Sequence, residues 1–292
     1  MDYRPVLGLD TSAINQLADD PNSNRLVSDI TTRYRVRLPF MSVAETIATK
    51  SPSRRGELRR RCCDLLQGGG DIMAPHHEIL RKMVSRFERS LPVGVENVLV
   101  RMAAAEREIL TNPESFDDAL ATEERSEARA NERIFARMWT DARKAFDPAT
   151  VTGEAMPASV SELLALLQRG TAFWNMASDL YNRTSSQPGD RAIVEKFFRE
   201  CAPFRAATIA IVAAQFDRCV PAKSGPSLRS GRNDTFMANC LPFCDEFVTH
   251  DGGQLACYRE VARIAELPTV VRSYDELVSG FYVIGGGSGR SA

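Results

Sequence analysis

The sequence predicts an α/β fold built on a mostly parallel sheet, interrupted by an all-α insertion. Three observations point there. Short apolar runs that stop at an acid and pass into helical spacing stand near both ends of the chain, as βα units do. The stretch between them, from Ser51 to about Cys201, consists of long charged helical patterns with few strand candidates. The composition, 43% hydrophobic and 26% charged over 292 residues, is that of a folded chain long enough for one large or two small domains.

In chain order, Val6-Leu7-Gly8-Leu9 is apolar and bounded by Pro5 and Asp10, which predicts a strand buried on both faces. Ala13, Ile14, Leu17 and Ala18 recur at helical spacing, so strand turns to helix at Asp10-Thr11-Ser12. Val36 to Phe40 predicts a second strand, and Thr46, Ile47 and Ala48 the start of another helix, with Glu45 near its N-terminus. In the middle block, Phe116 to Phe146 reads as a charged helix whose apolar stripe is Ile134, Phe135, Met138, Trp139 and Ala142. Ser159-Val160-Ser161-Glu162 has the form of a capping box. Gly68-Gly69-Gly70, Ala155-Met156-Pro157 and Gln187-Pro188-Gly189 mark breaks between helices. Phe204 to Phe216 predicts a buried helix, followed by a loop rich in Pro, Gly and Ser from Pro221 to Arg232. Asn233 to Phe243 then reads as a helix, Glu246 to Thr249 as a strand, Gly253 to Glu266 as a helix and Thr269-Val270-Val271 as a last strand, before a glycine-rich flexible tail.

Several function classes are excluded early. The 37 Lys+Arg and 38 Asp+Glu leave a net charge of −1, so no global field draws the chain onto nucleic acid or membrane, and any polyanion contact is local. The apolar run from Ala206 to Phe216 is shorter than the roughly 20 residues that span a bilayer, so no membrane partner is expected. The start of the chain lacks the apolar segment of a signal peptide, and an odd count of seven cysteines, with Cys62 and Cys63 adjacent, fits reduced thiols; the expected location is the cytoplasm. Neither Gly-x-x-x-x-Gly-Lys nor Gly-x-Gly-x-x-Gly after the first strand is present, so a nucleotide cofactor is not expected.

The chemistry concentrates in four acids. Asp10 and Asp251 follow predicted strands, Glu45 and Asp234 stand at predicted helix starts, and the C-terminal edge of a parallel sheet is where ligands bind. One acid after a strand reads as a helix N-cap. Four gathered in one cleft repel one another, which raises their pKa values or recruits a hard cation such as Mg²⁺ or Mn²⁺. In this the sequence resembles the PIN-domain nucleases. The match lies in Leu7-Gly8-Leu9-Asp10-Thr11-Ser12, Met41-Ser42-Val43-Ala44-Glu45, Asn233-Asp234-Thr235-Phe236-Met237-Ala238 and Phe247-Val248-Thr249-His250-Asp251, in that order. It covers about residues 5 to 50 and 204 to 278, and it departs from the family in the 189 positions that separate Glu45 from Asp234.

The resemblance implies a three-layer α/β/α domain around a central, mostly parallel sheet, formed by residues 1–50 and 202–280, with 51–201 as a helical insertion and 281–292 as a tail. It also implies metal-dependent endonucleolytic hydrolysis of RNA phosphodiester bonds. In that reading Asp10 is the central ligand of Mg²⁺ or Mn²⁺, Glu45, Asp234 and Asp251 are ligands directly or through water, and Thr11 and Thr249 are orienting hydroxyls. Many small members of the family are toxin ribonucleases held by an antitoxin, so a protein regulator or a second copy of the chain are the partners implied besides RNA. Two basic stretches are the expected phosphate contacts: Arg54, Arg55, Arg59, Arg60 and Arg61, and Lys223, Arg229 and Arg232 just before Asp234. The first is equally a solvated helix face.

Other readings stand beside this one. Phosphatases of the haloacid dehalogenase type also begin with an Asp after the first strand but place a second Asp two residues on, where this chain has Ser12. Cys240 and Cys244 with His250 invite a zinc site, but without a second Cys pair they read as small buried apolar residues. His76-His77 reads as surface, and Trp139 and Trp174 as core or inter-helix contacts. The non-enzymatic alternative is a binding or scaffold module that acts through its helical insertion.

Overall fold

Val6–Leu9 (β1) is the middle strand of a five-stranded parallel sheet, with Arg35–Leu38 (β2) and Asp71–Ile72 (β3) on one side and Glu246–Thr249 (β4) and Val270–Ser273 (β5) on the other. This computed structural model describes residues 4–95, 118–144, 156–220, 228 and 231–285. Leu7 is in register with Val36 of β2 and Glu246 of β4, and Glu246 with Val270 of β5. The chain works outward from β1 through β2 to β3, then returns beside β1 as β4. The strand order therefore reverses between β1 and β4, and a crevice opens at the C-terminal ends of those two strands.

The first helices are α1 (Thr11–Asp19), α2 (Ser23–Arg33), α3 (Phe40–Ile47), α4 (Pro52–Gln67) and α5 (His76–Glu88). The middle of the chain adds α6 (Asp118–Lys144), α7 (Val160–Arg169), α8 (Ala172–Asn182), α9 (Arg191–Glu200) and α10 (Ala202–Cys219). The last part holds α11 (Arg232–Met237), a 3₁₀ turn at Ala238–Phe243, α12 (Gly252–Ile264) and α13 (Tyr274–Gly285).

The alternation of side chains along each strand builds two cores. Leu7, Leu9, Val36, Leu38 and Val248 face one way, against α1 to α4 and α13. Phe247 and Val271 face the other way, against α10, α12 and the 3₁₀ turn, and that apolar cluster continues unbroken through α5 to α9. The result is three layers, α/β/α. Gly8 lies on the second face under Phe247, where a Cβ would come within 2.5 Å of the Phe247 ring and 2.8 Å of Cys244 Sγ, so close packing demands glycine. Among the described residues no helix is long and apolar enough to cross a membrane.

The elements predicted near both ends are present, with instructive differences. The second strand stops at Leu38, and Pro39, whose φ of −57° suits a helix entry, starts α3 at Phe40; Glu45 is therefore more than a turn inside that helix and not near its N-terminus. The block from 51 to 201 is not wholly helical: Asp71–Ile72 extends the sheet beside β2, and α4 packs on α1, α2 and α3. Helix α2 carries too few apolar residues to signal itself, burying only Leu26, Val27 and Ile30 beside the polar Ser23, and α13 follows the last predicted strand as an unpredicted helix that buries Tyr274, Leu277 and Phe281. Ile134 is 58% exposed, whereas Phe135 and Trp139 of the same stripe are buried. The side chains of Met138 and Ala142, most of the Pro221 to Arg232 loop and the glycine-rich tail lie outside the described residues. At the start of α7, Ser159 Oγ accepts from the Glu162 amide, while Glu162 Oε2 accepts from Ala158 one residue before the cap, so the predicted box closes one position early.

Candidate active site at the sheet edge

Asp10 ends β1 and caps α1, its Oδ1 accepting from the Ala13 amide at 2.7 Å. Asp251 ends the turn after β4 and caps α12 through the Gln254 amide at 2.8 Å. The cap reading and the site reading thus describe the same two residues. Asp234 sits in the first turn of α11, and its Oδ2 accepts from the Gly231 amide at 2.8 Å. Glu45 reaches over from α3, where Thr11 Oγ1 donates to its Oε2 and Asn233 Nδ2 donates to its Oε1 at 3.0 Å. The acid that Thr11 touches is thus Glu45.

The four acids occupy one electrostatic environment. Burial pushes Asp10 up to about 7, against hydrogen bonds from Thr249, the Ala13 amide and Ser12, and the charge of Asp234 adds to the rise. Asp234 is pushed up to about 6, first by burial and then by the charge of Glu45, with Asp251 and Glu132 contributing. Among the described residues no Lys or Arg forms an ion pair with any of the four. Two buried carboxyls are therefore held near neutral pH by desolvation and by one another.

A hydrogen-bonded network that sequence reasoning missed joins them. Ser12 Oγ donates to Asp10 and lies 3.1 Å from Thr249 Oγ1, while the amides of His250 and Asp251 donate to Ser12 Oγ, tying the end of β1 to the end of β4. Thr249 Oγ1 donates to Gln254 Oε1 at 2.8 Å, and Gln254 Nε2 donates to Asp234 Oδ1 at 2.9 Å. Tyr258, its phenol pushed well up by burial and the nearby acids, donates to the Asp234 carbonyl at 2.8 Å. A signal existed: Asp251, Gln254 and Tyr258 recur at three and four residues, one face of a helix that starts at the acid. Glu132 had no such signal. It comes from α6 in the middle block, and its Oε2 accepts from the Arg232 amide at 2.9 Å.

The predicted phosphate contacts are largely committed elsewhere. Arg55 is buried and pairs with Asp118. Arg54 pairs with Asp19 and Glu57, and Arg61 with Asn24 and Asp64, so both hold α4 to its neighbours. Arg59 is half-buried and Arg60 is exposed. Arg232 lies half-buried with its guanidinium 5.3 Å from the Phe236 ring centre. Lys223 and Arg229 lie outside the described residues.

A cavity of about 570 Å³ opens beside this site, between α3, α5, α6, α8 and α11. Glu45 and Asn233 line it, and His76 stands in its wall stacked on Phe236 with ring centres 4.8 Å apart. His76 is therefore packed and not a free surface group; burial pushes it down to about 4, so it is neutral at physiological pH. His77 is exposed. Cys240 and Cys244 are buried in the second core, and burial pushes the Cys244 thiol up to about 12. Trp139 packs edge-on against Phe135, and Trp174 against Phe173 and Phe198.

The donor chemistry at the sheet edge suits a hard divalent cation, since every acid there offers oxygen and two are destabilised in their charged form. The carboxylates are turned toward their hydrogen-bond donors, and among the described residues no three His, Cys, Asp or Glu side chains converge as a finished metal shell. In comparison with known proteins, the chain matches no family model, no curated protein and no solved structure.

Proposed function

We propose that the chain is a cytoplasmic metal-dependent endoribonuclease of the PIN type, with Asp10, Glu45, Asp234 and Asp251 as its cation-holding acids. The observation that carries this is the placement of four acids from four separate elements around the C-terminal ends of β1 and β4, with Asp10 and Asp234 pushed up to about 7 and 6. Keeping Asp10 and Asp234 charged against their desolvation opposes folding, and a cation would offset that cost. Bound there, Mg²⁺ or Mn²⁺ supplies an activated water and balances charge on the phosphate.

The chain's own residues do the rest. Thr11 and Asn233 fix the orientation of Glu45, and Gln254 and the Gly231 amide fix that of Asp234. Ser12 holds the two strand ends at a constant separation through the His250 and Asp251 amides. Asp10 and Asp234, pushed up to about 7 and 6, would have to be in their charged form to hold a cation, so affinity for it is expected to rise with pH.

One observation favours the second reading, a non-catalytic module: each acid already has donors from its own chain, and no three of the described acids converge. Cleavage of labelled single-stranded RNAs with Mn²⁺ or EDTA separates the two. Under the nuclease reading cleavage requires the cation and falls at least a hundredfold in Asp10→Asn. Inertness of the folded wild-type protein toward all RNAs with both Mn²⁺ and Mg²⁺ supports the module.

A further inference from the structure

We infer that the cavity beside the acids receives one unpaired nucleotide of the substrate strand, its base read by acceptors on α6. The inference rests on the nuclease reading for the phosphate next to that nucleotide and extends it to how the strand is held. A volume of about 570 Å³ falls within the roughly 300–1,000 Å³ of small-molecule sites, enough for a base and its sugar. Glu45 and Asn233 belong both to the acid network and to the cavity wall, so a nucleotide seated there has its phosphate at the acids.

The lining divides by chemistry. Phe40, Met41, Leu80 and Phe236 offer apolar contact to the faces of a base. Opposite them Glu124, Glu127 and Asn131 stand three and four residues apart on α6, one face of the helix, and present oxygen acceptors. Adenine, cytosine and guanine carry exocyclic amino donors that such acceptors bind; uracil carries none. A base within a duplex has its amino edge bound to its complement, so only a splayed, single-stranded nucleotide fits. Arg81 is exposed at the same cavity where a flanking phosphate leaves it, and Arg183, also exposed there, is paired with Asp179 at 2.7 Å. The helices of the middle block thus supply the selectivity that the acids lack.

The test is fluorescence anisotropy in EDTA, which separates binding from cleavage, using labelled oligoadenylate, oligouridylate and an RNA duplex. It compares the full chain with Ala128→Trp, which fills the cavity from α6, and with Glu124→Ala/Glu127→Ala, which removes two acceptors. The expected result is at least tenfold tighter binding of oligoadenylate than of oligouridylate or duplex, lost in Ala128→Trp. In the double variant, folded as judged by circular dichroism, the adenylate-to-uridylate ratio falls toward one. Absence of binding by the wild type, equal binding by a folded Ala128→Trp, or an unchanged ratio in the double variant overturns the assignment. Should Ala128→Trp fail to fold, the ratio decides alone. Cleavage with Mn²⁺ but no dependence on the cavity removes the nucleotide site and leaves the nuclease. Cavity-dependent binding without cleavage keeps the site and removes the nuclease.

Discussion

Asp10 meets two demands at once: it caps α1 and it stands buried among other acids. Its pKa in the fold, about 7, lies above the ordinary 3.8, so between those values the folded chain keeps a proton that the unfolded chain has lost. Stability from this group is fully present at acid pH and is lost as pH rises through 7, falling by about 1.4 kcal/mol per pH unit across that window; Asp234, pushed up to about 6, acts in the same sense. Thermal melts of the metal-free protein are therefore expected to be higher at pH 5 than at pH 8. Asn caps helices as well as Asp does, so Asp10→Asn keeps the cap and removes the buried charge. It should flatten the pH dependence and raise the melting temperature at pH 8 by several degrees; an unchanged slope would show that Asp10 is not the group responsible. The four acids were legible in the sequence because Asp10 and Asp251 follow apolar runs and Glu45 and Asp234 adjoin helical patterns. Asn233 and Glu132 were not, because the partner of each lies on another element and spacing along the chain carries no trace of it, whereas Gln254 was signalled only by its helical spacing from Asp251 and Tyr258.

At the scale of elements, the sheet depends on two residues whose types look unremarkable in sequence. Gly8→Ala forces a Cβ against Phe247 and Cys244 between β1 and β4 and is expected to cost on the order of 1–3 kcal/mol, read from the urea midpoint. Arg37 of β2 pairs with Asp71 of β3 at 2.9 Å, both buried, and its Nη1 donates to the Phe243 carbonyl at 2.6 Å. Arg37→Ala leaves Asp71 without this buried cation and should cost about 3–5 kcal/mol; a loss below about 1 kcal/mol would mean that the pair contributes little. The strands β1, β4 and β5 were readable from their apolar runs, whereas β3 was not: two residues, one of them Asp71, make no pattern. The early start of α3 was hidden because Phe40, apolar after Pro39, reads as well at the end of a strand as at the start of a helix.

Across the whole molecule, the helices of the middle block are not an appendage. Their core is continuous with the second face of the sheet through α10, whose Ala206, Ile209, Ala210, Val212 and Ala213 are buried on every side. Removing residues 51–201 takes away α4 and β3 along with the cover of α10, so that deletion is expected to lack the near-ultraviolet dichroism of a fixed core. A deletion that stays folded would mean that the sheet stands without them. The same continuity places Glu132 against the Arg232 amide next to Asp234, and the cavity beside Glu45. The proposed nuclease activity depends on the four acids holding a divalent cation, and Mn²⁺ binding followed by electron paramagnetic resonance at pH 8, on the wild type and Asp10→Asn, reads this without any substrate. Saturable binding at one or two sites that tightens with pH and is lost in Asp10→Asn is the expected result, whereas equal binding by both proteins, or none by either, would mean that the acids hold no cation.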